Sequence, residues 1–172
     1  MSTATRPVPT ECDPYWQRYI SQVGEGEIVT ILEDEGAAAL ALIRGLTDEQ
    51  AKSTYAAGKW PVREVIGHII DTERIMSYRA LRISRADATP MEGFEQDDYA
   101  ANSPYSNYSV DELADEFAAV RRATVLQFRK LTPDMWTRSG VANHKEITVR
   151  ALAYIVAGHE IYHRKILTER YL

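Results

Sequence analysis

His159 and His163, four residues apart near the C-terminus, are the side chains of this chain best spaced to do chemistry together. On a helix that spacing points both imidazoles the same way, one turn above the other. They also fall within an apolar stripe. Measured from Thr148 at 100° per residue, Leu152, Ile155, Val156, Ile166 and Leu167 cluster around roughly 40°. His159 lies at roughly 20° and His163 at roughly 60° on the same wheel. Two imidazoles on one buried face carry four ring nitrogens that need partners, which is costly in a dry core. A divalent metal satisfies two of them at once. Hydrogen bonds to Tyr162, Glu160 or other core polar groups are the competing explanation.

His68 is the candidate third ligand. On its own helix it lies roughly 120° from the centre of the apolar face, a border position where a structural histidine is the ordinary finding. Three neutral histidines would leave open positions for water and a substrate, the arrangement of a catalytic site rather than a closed structural one. Such ligands suit zinc or nickel first, with iron, manganese or copper as alternatives. Asp71, one turn after His68, orients a ligand or faces solvent. Glu73 falls near the centre of its helix face and reads as a buried carboxylate. An ion pair with an arginine such as Arg150 is the preferred account, and an acid–base role the other. Arg164, beside His163, is a second catalytic candidate, able to meet an anionic substrate.

His159-Glu160-Ile161-Tyr162-His163 also matches the H-E-x-x-H pattern of zinc proteases. The extended pattern of one protease class needs a glycine and a further histidine, and residues 164–172 supply neither. Few residues remain for a later ligand helix, and no substrate-binding strand is evident. Glu160 lies roughly 80° or more from the stripe centre, so we read the match as coincidence.

Four long helices must position these groups. Ile28, Leu32, Glu35, Ala39, Leu42 and Leu46 alternate steps of four and three, the seam of a first helix over about Glu27–Leu46. Glu35 interrupts it and is placed at the bundle edge. Pro61 opens a second helix running to about Arg85. Ser109-Val110-Asp111-Glu112 is a capping box for a third, whose seam runs from Leu113 to Leu131. The fourth spans about Ile147–Arg170. A short helix is expected over Tyr15–Val23, and Met1–Pro14, with three prolines, as a loosely held arm. Thr47–Lys59 and the segment containing His144 read as polar connections. The fold class is all-α, a four-helix bundle in a single domain over residues 1–172.

The histidines constrain the topology. His68 is roughly 10 Å into the second helix, and the His159/His163 pair roughly 12 Å from the end of the fourth. Antiparallel helices bring all three to one height, whereas parallel ones miss by roughly 10 Å. A plain up-down-up-down bundle makes these two helices parallel. A long crossover between the second and third helices removes the conflict, and the aperiodic stretch Ala86–Tyr108 is long enough to supply it.

Composition limits the function classes. The 172 residues carry a net charge of −5 with 45% hydrophobic content, and the pI is near 5.4. No basic block invites nucleic acid. The single Cys12 rules out an intrachain disulfide or a multi-cysteine zinc site. The longest apolar run, Ala151–Ala157, is too short for a membrane span. We expect a cytoplasmic protein without membrane partners.

These residues together resemble the DinB-like (YfiT-like) superfamily of metal-binding four-helix bundles. The likeness is carried by Trp60 to Arg74, by Gly93-Phe94-Glu95-Gln96-Asp97-Asp98-Tyr99 in the crossover, and by Thr148 to Leu152 and Gly158 to His163. The family's three metal histidines fall on His68, His159 and His163 with no departure. The resemblance implies an up-down-down-up bundle, a divalent metal with water ligands, and a homodimer. Some relatives are transferases or isomerases that use a low-molecular-weight thiol: mycothiol, bacillithiol or glutathione. On that basis a metal-dependent, thiol-using S-transferase acting on a small molecule is our first expectation. A metal-dependent hydrolase is the second, and a non-enzymatic stress-response or binding protein with a structural metal the third.

Overall fold

The computed structural model describes residues 4–172. Four long helices form the bundle: α2 (Ile28–Arg44), α4 (Val62–Ser84), α6 (Val110–Arg129) and α8 (Val149–Arg170). Shorter helices α1 (Gln17–Ile20), α3 (Asp48–Lys52), α5 (Gln96–Ala101) and α7 (Pro133–Thr137) lie between or beside them.

Local sequence explains where the long helices start. Ser109 Oγ accepts the Glu112 amide at 3.2 Å, and Glu112 Oε2 accepts the Ser109 amide at 2.8 Å, so the capping box at the head of α6 is formed as its sequence dictates. Thr148 Oγ1 caps α8 by accepting the Ala151 amide at 3.2 Å. Pro61, placed by sequence at the first helical position of α4, stands one residue earlier as its cap.

Cross-helix contacts fix the directions. Leu32 O accepts Arg121 Nη1 at 3.0 Å near one end of α2, while Arg44 meets Asp115 toward the other, so α2 and α6 are antiparallel. Arg74–Glu116 and Gln127 Nε2 to Ser77 O make α4 and α6 parallel. At the ends of α4, Tyr171 reaches Trp60 O at 2.9 Å and Arg138 reaches Ser84 O at 2.5 Å, beside the start of α8. Helices α4 and α8 are therefore antiparallel. In chain order the bundle runs up, down, down, up, and the segment between α4 and α6 travels its length.

Helix α8 is the central element. Its residues 151–160 are all buried, which is the signature of a helix packed on every side rather than along one stripe. Ala151, Ala153, Ala157 and Gly158 keep it thin enough for that. Leu152 and Ile155 are fully buried, each contributing about 1.5–3 kcal/mol to the core.

Three stretches differ from their sequence expectation. The connection after α7 is an antiparallel hairpin, β1 (Ser139–Ala142) and β2 (Lys145–Thr148), with Ser139 opposite Thr148. It turns through Asn143 (φ 49°) and His144 (φ 61°), two left-handed residues in succession as a tight hairpin requires. The short strands carry no clean alternation, and the turn lacks the usual glycine, so the pattern was hidden. The crossover is not wholly irregular either, since it contains α5. Met91 pairs with the hairpin, donating to Val141 O and accepting from Asn143 N, both at 2.9 Å. Finally, the N-terminal segment is anchored from residue 4 onward, not loosely held. Arg6 donates to the carbonyls of Ile20, Val23 and Gly24, while Glu11 binds Thr148 and Arg150. Met1–Thr3 of the expected arm lie outside the described residues. Among those described, no helix is long and apolar enough to cross a membrane.

Candidate metal centre

His68 projects from α4, and His159 and His163 from α8, where the two helices run antiparallel. One ring nitrogen of each lies within 4.8 Å of the others. The Nε2 atoms of His159 and His68 are 3.0 Å apart, and the ring centroids of His159 and His163 are 4.4 Å apart. The three expected ligands thus meet at one height.

A glycine precedes the histidine on each helix, and both are needed for close packing. A Cβ on Gly67 would lie 2.0 Å from Cδ2 of Tyr105. One on Gly158 would lie 2.0 Å from the backbone oxygen of Tyr19. Each glycine seats a segment from elsewhere in the chain against the cluster. Through Gly158, the Tyr19 ring reaches 5.1 Å from His159 and stacks over His163 at 6.4 Å. Trp60 covers His68 at 5.1 Å and Tyr162 packs edge-on to His163 at 5.3 Å.

The donor set fits a divalent cation. His163 Nε2 is buried and has no hydrogen-bond partner, an uncompensated polar atom of the kind a ligand satisfies. Burial holds all three imidazoles in the neutral form that can donate a lone pair. It lowers the pKa of His68 to about 4, with Asp97 pulling slightly the other way. It lowers that of His163 to about 3, helped by His68, and that of His159 well below the ordinary value.

The charged candidates lie elsewhere. Glu73 takes three contacts from Arg121, two at 2.9 Å and one at 3.1 Å, in the bundle interior. Arg150, the partner suggested by sequence, binds the half-buried Glu11 of the N-terminal segment instead; both arginines are reachable from a sequence, and only packing selects one. Arg164 donates to Glu160 at 2.7 Å and also binds Glu35, so its guanidinium is shared between two carboxylates. Glu160 itself is 1% exposed. The wheel put it off the apolar stripe, but α8 is buried all round here, and burial raises its pKa to about 7 despite Arg121 and Arg164. Asp71 accepts from Tyr105 at 2.9 Å and pairs with Arg74 at 3.7 Å. His144 is exposed at the hairpin turn.

Tyr19 was not singled out from sequence, and Trp60 and Asp97 stood only within the motifs that carry the resemblance, with no role given. Asp97 lies in the crossover helix α5, and its negative charge acts on His68. The doublets Gly67-His68 and Gly158-His159 were the available signal for tight packing at the histidines, though not for what packs there.

Comparison with known proteins identifies the family and the fold. A family model described as the DinB superfamily matches residues 31–167. A protein of Oceanobacillus iheyensis named "Putative metal-dependent hydrolase" is 28% identical over 123 residues, covering 70% of each chain. The structure of YfiT from Bacillus subtilis superposes with a TM-score of 0.71 at 18% identity, covering 96% of this chain and 93% of that one. That protein is described as "a probable metal-dependent hydrolase with an unusual four-helix bundle topology". The likeness to YfiT is one of fold.

Proposed function

Because the chain belongs to the DinB superfamily, we propose that it is a metal-dependent hydrolase of a small molecule, with His68, His159 and His163 as ligands of a divalent cation. The observation carrying this is the convergence of three neutral imidazoles on one point, with His163 Nε2 buried and unpartnered. The names of the relatives from Oceanobacillus iheyensis and Bacillus subtilis support the hydrolytic choice.

When bound, a divalent ion supplies Lewis acidity, polarising a carbonyl or phosphoryl group and acidifying water. The rest falls to the chain. The histidines stay unprotonated well below neutral pH and so remain available as donors. Tyr19, Trp60 and Tyr162 wall the cluster with aromatic surface and keep bulk water from its sides. Asp97, exposed on α5, sets a negative charge whose influence reaches His68. Glu73 and Arg164 are engaged in ion pairs and are given structural roles.

Metal-loaded protein is assayed with ester, amide and lactone probes, with and without added thiol. Turnover without thiol, lost on replacing a histidine, is the expected result. Turnover that appears only with a thiol would instead establish the S-transferase expected first from the resemblance. Absence of both would leave a binding protein. The homodimer and the cytoplasmic setting belong to the same proposal; light scattering on the purified chain tests the former, and a monomer at all concentrations would refute it.

A further inference from the structure

Arg79 is a buried cation that the metal centre does not use. It lies on α4, three turns beyond His68, and is 5% exposed. Its Nη2 donates to Glu92 O at 2.7 Å and its Nη1 approaches Met76 Sδ at 3.8 Å. Its guanidinium carbon sits 5.9 Å from the Phe94 ring centroid. Among the described residues no carboxylate lies within 4.0 Å of it, whereas the buried Arg121 is neutralised by Glu73. Burial accordingly pushes the pKa of Arg79 down, with nothing to restore it. A desolvated cation without a counter-charge is costly. Arg63 is also buried without a carboxylate, but it spans two carbonyls, Ala51 O and Ser106 O.

Arg79 differs because it lines a cavity. The space, about 420 Å³, lies between the crossover, the N-terminal segment and the hairpin, and its size suits a small molecule. Aromatic walls come from Tyr15, Trp16 and Phe94. Of the carboxylates that also line it, Asp13 is 3.9 Å from Lys145, and Glu146 accepts from Ser139 at 2.7 Å. Glu95 and Asp97 are exposed. Arg79 is thus the buried cation of the cavity, while Lys145 and the carboxylates stand nearer its rim.

We infer that this cavity binds a small molecule carrying one carboxylate or phosphate group, held by the Arg79 guanidinium, on a body that is neutral or cationic. A planar guanidinium matches either oxyanion with paired hydrogen bonds, the aromatic walls take the body, and the acidic rim rejects polyanions. The inference does not depend on the metal centre or on the hydrolase proposal, although Asp97 at the rim of this cavity also acts on His68.

The test is an amide-resolved NMR titration of the full chain with benzoate, acetate and inorganic phosphate at fixed ionic strength. Saturable shifts at Gly93, Phe94 and Asn143 and at the Trp16 indole are expected, and the preferred probe distinguishes carboxylate from phosphate. Arg79→Met should weaken binding at least about tenfold, as loss of a charge-assisted pair implies, while Arg82→Met, at a half-buried residue already paired with Asp87, should leave it unchanged. If Arg79→Met does not fold, Arg79→Lys replaces it, with weaker binding at the same amides expected. No saturable shift with any probe, shifts confined to amides around His68 and His159, or unchanged affinity in the folded Arg79 variant would each overturn the inference.

Discussion

Replacing Glu73 by glutamine tests whether this carboxylate holds the bundle together or takes part in catalysis. Its side chain is 2% exposed and that of Arg121 6%, so water does little to rescue either charge. Arg121 is further fixed by Leu32 O at 3.0 Å. Gly36 makes room for it, since a Cβ there would lie 2.8 Å from Arg121 Cγ. Removing one member of such a pair leaves a buried charge uncompensated, at a cost of about 3–5 kcal/mol. For a chain of this size each kcal/mol lowers Tm by about 2–4 °C, so a fall of about 6–20 °C is expected. Urea unfolding followed by far-UV circular dichroism measures the difference directly. Glu73→Leu with Arg121→Met should cost much less than the two single changes summed, because the pair is removed with its desolvation penalty. Metal content and turnover of folded Glu73→Gln at 20 °C should stay near wild type. A destabilisation below about 1 kcal/mol would refute the buried-pair account. Unaltered stability with turnover lost would return Glu73 to the catalytic machinery.

Three other outcomes can be checked. Single His68→Ala, His159→Ala and His163→Ala variants should each lose most bound metal by elemental analysis, and full retention in all three would defeat the proposed ligand set. Gly158→Ala should cost about 1–3 kcal/mol through overpacking against the Tyr19 carbonyl and alter the near-UV signal of the aromatic cluster; an unchanged spectrum and midpoint would contradict the packing described. In metal-stripped protein, His68 and His163 titrate near 4 and 3 against 6.5 when unfolded, so stability present above that value should drain as pH falls, by about 2 kcal/mol for each at pH 5. Glu160, raised to about 7, gains protons in the native state first and offsets about one histidine's loss over the same range, while His159, also held well below its ordinary value, adds to the loss. Stability should therefore be lower at pH 5 than at pH 7.5, and a midpoint that rises on acidification would be inconsistent.

The long helices and the topology were legible because each left a periodic or steric trace. The seams gave the helices, Ser109 and Glu112 gave a cap, and the requirement that three histidines share a height gave the crossover. The partners of charged groups were not legible. Glu73 could be placed in the interior by its wheel position, yet Arg121 rather than Arg150 reaches it, because that choice depends on which faces of α4 and α6 meet. Glu160 was misjudged for a related reason. A helical wheel assumes one wet side, and α8 has none at that level. The hairpin was hidden by its shortness and by a turn made of Asn143 and His144 rather than glycine. Asp97 and Tyr19 reach the histidines only through tertiary packing, so no local spacing could announce them.

The seating of Tyr19 on Gly158 also bears on how the site could change over time. The three histidines sit on two long helices whose interiors tolerate little variation, but the roof over them is a short segment around Tyr19. Substitutions in that segment could reshape access to the cluster while leaving the histidines and the bundle core untouched. The surface over the histidines could then drift faster than the cluster beneath it.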